Sequence, residues 1–409
     1  MSLNRDWDVE MDEYVAAPPT FVGGTVYVGT DAGRIHAVDA DSGRIEWTFE
    51  TDTGHWVRAQ PVYDGGLLFS GTELDWDGYV HALDAATGME GWRYDCGDVS
   101  GVAVAGDTVY AGAGKTVLAL DVMDGTEQWV YDNTDADAGY FGAPVVLDGV
   151  VCVVSEEERV YGLDAETGDG IWTLDAGGYV GSNSNHPVAG DETVYVGDDE
   201  TVRALDPATG RGRWSRNVEA GGDGPVLGAS SVYVAGGQTV TAIDRASGDI
   251  EWETTLGGEL TRPGVGSHGV YVGTESGTLY ELDPDDGGRT DSLDLAGDAL
   301  TKPTVGETTL FVGSFDWTLY AVDLGEPPSS PPTGREAPSG FRQRAAERSE
   351  DSSGDSSASE GPTTPERDDA GCPNCGERTV PEERTLRADD RSCRVWVCPR
   401  CETILDVIG

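Results

Sequence analysis

Five of the seven cysteines in this 409-residue chain fall within its last 38 residues, and four of them form two Cys-Pro-x-Cys knuckles, Cys372/Cys375 and Cys398/Cys401. A Cys-x-x-Cys turn lets two thiolates reach one ion, and two such turns separated by 22 residues can close a tetrahedron. The expected chemistry is one metal ion bound by four thiolates, with Cys393 a spare or buried fifth thiol, or a stand-in for a knuckle cysteine. Cys96 and Cys152 stand alone in the rest of the chain and read as core thiols. This distribution suits a reducing compartment and not a secreted disulfide framework.

A second set of residues stands out against the charge. There are 26 basic and 75 acidic residues, for a net charge of −49, and only two of the basic residues are lysines, Lys115 and Lys302. Lys302, in "LTKP", and Arg262, in "LTRP", sit at matching places about one repeat apart, each just ahead of a proline. Arg58 lies just upstream of Pro61, and His186 precedes Pro187. If these prolines lead strands into a common channel, Arg262 and Lys302, with Arg58 and His186 beside them, would form a site for a carboxylate or phosphate. The alternative is local pairing of the two cations with Glu259 and Asp298. No Ser-His-Asp arrangement, phosphate loop or His-Glu-x-x-His motif is present.

The remaining acids read as a solvated coat that keeps a folded protein soluble in concentrated salt. Few lysines and abundant aspartate resemble the proteins of halophilic archaea. Such a surface repels DNA and anionic membranes at low ionic strength. No run of 18 apolar residues occurs, so no transmembrane helix is expected, and the start of the chain shows no apolar leader, so the cytoplasm is the expected compartment.

The elements that must carry these residues repeat. "GGTVYVGTDAGRIHAVDADSGRIEW" (23–47) aligns with "DETVYVGDDETVRALDPATGRGRW" (191–214) and "GASSVYVAGGQTVTAIDRASGDIEW" (228–252). The aspartate closing the third strand recurs at Asp39, Asp84, Asp121, Asp164, Asp206, Asp244, Asp283 and Asp323. Eight units of about forty residues match the period of a four-stranded propeller blade. The apolar "VYVG" runs predict strands buried on both faces. The Asp-x-x-Ser/Thr-Gly turns predict a carboxylate accepting backbone amides, with glycine at positive φ. A tryptophan follows in six units (Trp47, Trp92, Trp129, Trp172, Trp214 and Trp252), and in the seventh Arg289 and Thr290 stand where it is expected, which predicts the least well packed blade interface.

"AVDADSGRIEW", "ALDAATGMEGW", "GLDAETGDGIW" and "ALDPATGRGRW" resemble the tryptophan-docking repeat of pyrroloquinoline-quinone-type propellers, and the resemblance covers residues 1–323. It implies an all-β, eight-bladed β-propeller. The repeat marks a fold and not one function: it serves quinoprotein dehydrogenases, outer-membrane-assembly lipoproteins and scaffolds. Quinone catalysis would need a calcium ion, a carboxylate base, basic contacts to the cofactor and, by resemblance, adjacent cysteines. This chain has no Cys-Cys pair and no long loop insertion to roof a cofactor, so pyrroloquinoline quinone is not expected.

The eighth unit ends at Asp323 without its tryptophan strand, and Trp7 lies one period before Trp47. "RDWDVEM" should therefore close the ring as the outer strand of the last blade. The predicted domains are the propeller (1–324), a Pro/Ser-rich disordered linker (325–370) and a metal-binding module (371–409). The last resembles a zinc ribbon, which implies zinc, although rubredoxin-like iron sites share the knuckles. With six arginines against seven acids, it is the part best able to touch an acidic partner. The expected function is a non-catalytic scaffold for an unknown protein partner, with a tethered zinc module. The alternatives are an anion-binding propeller and a nucleic-acid role for the ribbon.

Overall fold

The computed structural model describes residues 2–325 apart from 52–53, 134–139, 157–158, 176–185, 199, 220–223, 268 and 296–297, together with the backbone of three strands near the C-terminus. Two compact units are present, Met1–Pro332 and Thr333–Gly409. The first is all-β: eight four-stranded antiparallel sheets, seven of them sequential meanders. The eighth joins Asn4–Glu10 to Thr304–Val305, Thr309–Gly313 and Thr318–Asp323, so the two ends of the repeat array share one sheet. Trp7 pairs with Ala321 as Trp47 pairs with Ala37, and the ring closes as the sequence predicts.

The burial pattern explains the strands. In Thr25–Thr30 five consecutive positions are buried, whereas the outer strand Ile45–Glu50 alternates half-buried and exposed. Middle strands are covered on both sides by neighbouring blades, and outer strands face water along one edge.

Tryptophan docking joins the blades. The Trp47 indole donates to the carbonyl of Ala85 in the next blade at 3.0 Å, and the Tyr27 hydroxyl reaches the same oxygen at 3.1 Å. Trp7, Trp92, Trp129, Trp172, Trp214 and Trp252 make the equivalent bond to the following turn. Each ring lies against a turn glycine. At Gly88, with φ +70°, an added Cβ would stand 2.5 Å from the Trp47 ring. The preceding aspartate secures the turn: Asp84 accepts both the backbone amide and the hydroxyl of Thr87.

The seventh interface departs from expectation in two ways. The strand register puts Asp291, and not Arg289 or Thr290, in the tryptophan position. Nor is the interface poorly filled. Asp291 accepts the Leu3 amide at 2.5 Å, a bond that holds its carboxyl below the usual range, and Leu3 is buried with Tyr271, Leu279 and Leu310. The physical reason is closure. Blade 8 takes its outer strand from the other chain end, so it has no continuous turn on which a ring from blade 7 could dock, and the arriving N-terminal segment fills the space.

The second unit contains a three-stranded antiparallel sheet, in the order Glu382–Ala388, Arg391–Val397, Ile404–Ile408. Cys393 lies opposite Leu386 in this ladder. The four knuckle cysteines and the predicted linker beyond Gly325 lie outside the described residues.

Candidate functional site

Antiparallel meanders dictate which residues meet. The connection leaving each outer strand and the connection between second and third strands emerge at one end of the ring, while the other two turns emerge at the opposite end. Arg58, Gln60, Ala143, His186, Arg262 and Lys302 all lie on connections of the first kind, and all line one central funnel of about 900 Å³. Short apolar innermost strands leave that axis open, and the prolines preceding several of them aim the residue before each one inward.

The four predicted site residues differ in what holds them. Arg58 is committed: it bonds Asp31 at 2.8 Å and Glu73 at 3.2 Å, and it stacks on the Trp56 ring at 4.2 Å. Burial raises the Glu73 carboxyl despite Arg58. Arg262 donates from Nη2 to the Pro225 carbonyl at 2.7 Å. His186 lines the same funnel. Lys302 has no hydrogen-bond acceptor and no carboxylate partner among the described residues. Asp298, the neighbour proposed to neutralise it, accepts the Ala299 amide instead. Burial, reinforced by the Arg262 charge, pushes the Lys302 ammonium down to about 7.

The funnel-lining acids Asp31 and Glu73 are both bound to Arg58. Among the described residues no group of three or more His, Cys, Asp or Glu side chains could hold a metal ion. Cys96 and Cys152 are separate free thiols, each pushed up to about 12 by burial.

Sequence reasoning missed the rim around the funnel. Tyr14, Trp56, Trp76, Phe315 and Trp317 are exposed on connections at this same end. Tyr14 packs on Phe315 and edge-on against Trp317, and Trp76 lies 5.1 Å from Tyr140. Two of these tryptophans sit at positive φ. Trp317, at 70°, occupies the place that Gly277 (83°) holds in blade 7 and Gly33 (76°) in blade 1, within the same four-residue turn. Trp76, at 77°, is the second residue of a two-residue hairpin loop between Leu74 and Asp77, where glycine is the usual choice. A bulky side chain in the left-handed region costs about 1–2 kcal/mol, yet Trp76 is 71% exposed and gains little packing in return. The signal was present in the sequence: "ELDWDG" and "SFDWTL" break the glycine pattern of the equivalent loops.

Together these features define a closed, eight-bladed tryptophan-docking propeller. The family model PQQ_2, described as outer membrane protein assembly factor BamB, matches residues 4–74, 76–235, 198–266 and 236–326, and the chain belongs to this family. Among curated relatives, quinohemoprotein alcohol dehydrogenase ADH IIB of Pseudomonas putida is 29% identical over 247 residues, covering 49% of this chain and 35% of that protein. The outer membrane protein assembly factor BamB of Escherichia coli (strain K12) is 26% identical over 200 residues, 46% of this chain and 49% of its own. The chain thus spans at most about half the length of these relatives. The crystal structure of BamB from Moraxella catarrhalis superposes with a TM-score of 0.65 at 21% identity, covering 78% of this chain and 99% of that one, which shows the shared fold.

Proposed function

We propose that the propeller is a non-catalytic scaffold that binds a protein partner through the funnel face. The observation that carries this reading is the exposed aromatic rim, above all Trp76 and Trp317 held in backbone conformations that disfavour them. Local strain persists where function retains it, and exposed aromatics are the residues enriched in protein interfaces. Membership of a family described by an assembly factor agrees with this role. A photo-reactive residue at Tyr14 should cross-link the partner in molar potassium chloride, whereas one at Met123, on a turn of the opposite end, should not. Equal capture from both ends would contradict the assignment.

A second reading is supported by Lys302: the funnel holds a small carboxylate or phosphate between Lys302 and Arg262. A buried lysine with no carboxylate partner among the described residues is costly, and an anion would relieve its charge. Citrate or sulfate should raise the melting temperature of the wild type and not that of Lys302→Met.

The tail completes the scaffold as a tethered contact. Cys372, Cys375, Cys398 and Cys401 would bind one zinc ion and lock the module's fold. The second knuckle falls in the link between the paired strands Arg391–Val397 and Ile404–Ile408, which suits a metal-clamped turn. Thiolate ligation suits a reducing compartment, in keeping with the cytoplasm. Elemental analysis of fresh, reduced protein should give one zinc per chain, and less than half an equivalent of metal would count against the site.

A further inference from the structure

A cleft of about 230 Å³ opens on the funnel face, walled by Trp56, Trp76 and Tyr140 and by Glu73, Asp98 and Glu156. Its charge is fixed in place. Asp98 accepts the Leu74 amide at 3.0 Å and the Trp76 amide at 3.2 Å, which clamps the strained turn and keeps a carboxylate behind the indole. Glu156 accepts the Tyr140 amide at 3.2 Å. The Tyr140 hydroxyl is buried and has no hydrogen-bond partner among the described residues. Trp76 tilts over Tyr140 and leaves its outer face to solvent.

We infer that this cleft receives an arginine side chain from a basic segment of the partner protein. The inference rests on the docking face proposed above and specifies the chemistry of what docks there. A guanidinium is planar, stacks on an indole, and carries donors for carboxylate and phenol oxygens at once. The protein already uses this pairing at one wall of the cleft, where Arg58 covers Trp56 and bonds Glu73, which leaves Asp98 and Glu156 to face the newcomer. Charge complementarity favours the same occupant, since a chain of net charge −49 attracts a basic segment and the cleft then selects its arginine. The cost of holding Trp76 at positive φ is thereby matched to a use: glycine at this position would make the turn without strain but would remove the stacking surface.

The test is a titration of the full chain with the peptide acetyl-Gly-Gly-Arg-Gly-Gly-amide in 1 M potassium chloride, where long-range attraction is screened to about 3 Å. Saturable binding followed by tryptophan fluorescence is expected, weakened at least tenfold by replacing the arginine with citrulline and at least tenfold by Trp76→Gly. Met123→Ala changes an exposed side chain on a turn of the opposite end and should leave the affinity as it was. Equal affinity for the citrulline peptide, or an unaltered affinity in Trp76→Gly, overturns the inference. A partner cross-linked through Tyr14 together with no arginine-peptide binding also overturns it while leaving the docking face standing. Peptide binding with no partner at Tyr14 does the reverse.

Discussion

Lys302 shows how one side chain can report on the funnel. Its folded pKa of about 7 lies below the ordinary 10.5, so the folded chain loses this proton before the unfolded chain does. The sign follows from linkage: the contribution of this group to stability is least below about pH 7 and improves as pH rises toward 10.5. An anion reverses the preference by favouring the ammonium, so citrate affinity should fall by up to about tenfold per pH unit above pH 7. Titrations at pH 6 and 8 check this, and Lys302→Met should abolish the difference. The two strained tryptophans give a prediction of opposite character from the docking ones. Trp47→Ala removes an indole that fills a blade interface and should cost about 3–5 kcal/mol. Trp76→Gly removes an exposed ring from a left-handed position; relief of about 1–2 kcal/mol is offset by about 0.5–1 kcal/mol of glycine entropy. Thermal melts should therefore show Trp76→Gly no less stable than the wild type. A loss comparable to that of Trp47→Ala would make Trp76 a packing residue.

At the scale of elements, ring closure is the most exposed claim. Asn4–Glu10 supplies the eighth outer strand, Trp7 docks on the turn at Gly43, and Leu3 fills the interface that lacks a tryptophan. Deleting residues 1–13 removes all three contributions at once, and the melting temperature should drop sharply at fixed salt. An unchanged melt would mean the ring does not depend on this strand. Closure was legible in the sequence because a period of forty residues is a long-range signal: the missing strand after Asp323 and the surplus tryptophan at position 7 could be matched without coordinates. The convergence of His186, Arg262 and Lys302 on the funnel was legible for the same reason, since each holds the same place in its unit. Partner choice was not. Nothing in the composition around Arg58 foretold that Asp31, one blade earlier, and Glu73, across a bridge from Trp56, would both engage it. Asp291 was misjudged because a shift of one or two residues in reading the turn moves the docking position along the strand. The rim was missed because "Asp-Trp" looks like any polar turn until the φ angles reveal what it replaces.

At the scale of the whole molecule, charge sets the working conditions. A compact body bearing most of a −49 charge repels itself, and screening shrinks that repulsion from a range of about 10 Å at 0.1 M salt to about 3 Å at 1 M. The melting temperature should climb with potassium chloride over that range, and a flat response would remove the salt-adapted reading of the acidic coat. If the solvent is concentrated salt, long-range steering is weak and recognition rests on short-range contacts, which an aromatic rim supplies. The funnel face should then be the interaction surface by virtue of its rings and the carboxylates set beside them, not of long-range net charge. The direct test is partner retention by the full chain carrying Trp76→Gly and Trp317→Gly together, measured in 1 M potassium chloride beside the wild type. The partner should be lost while the melt and the blade packing stay intact; full retention by the doubly substituted protein would contradict the assignment of this face.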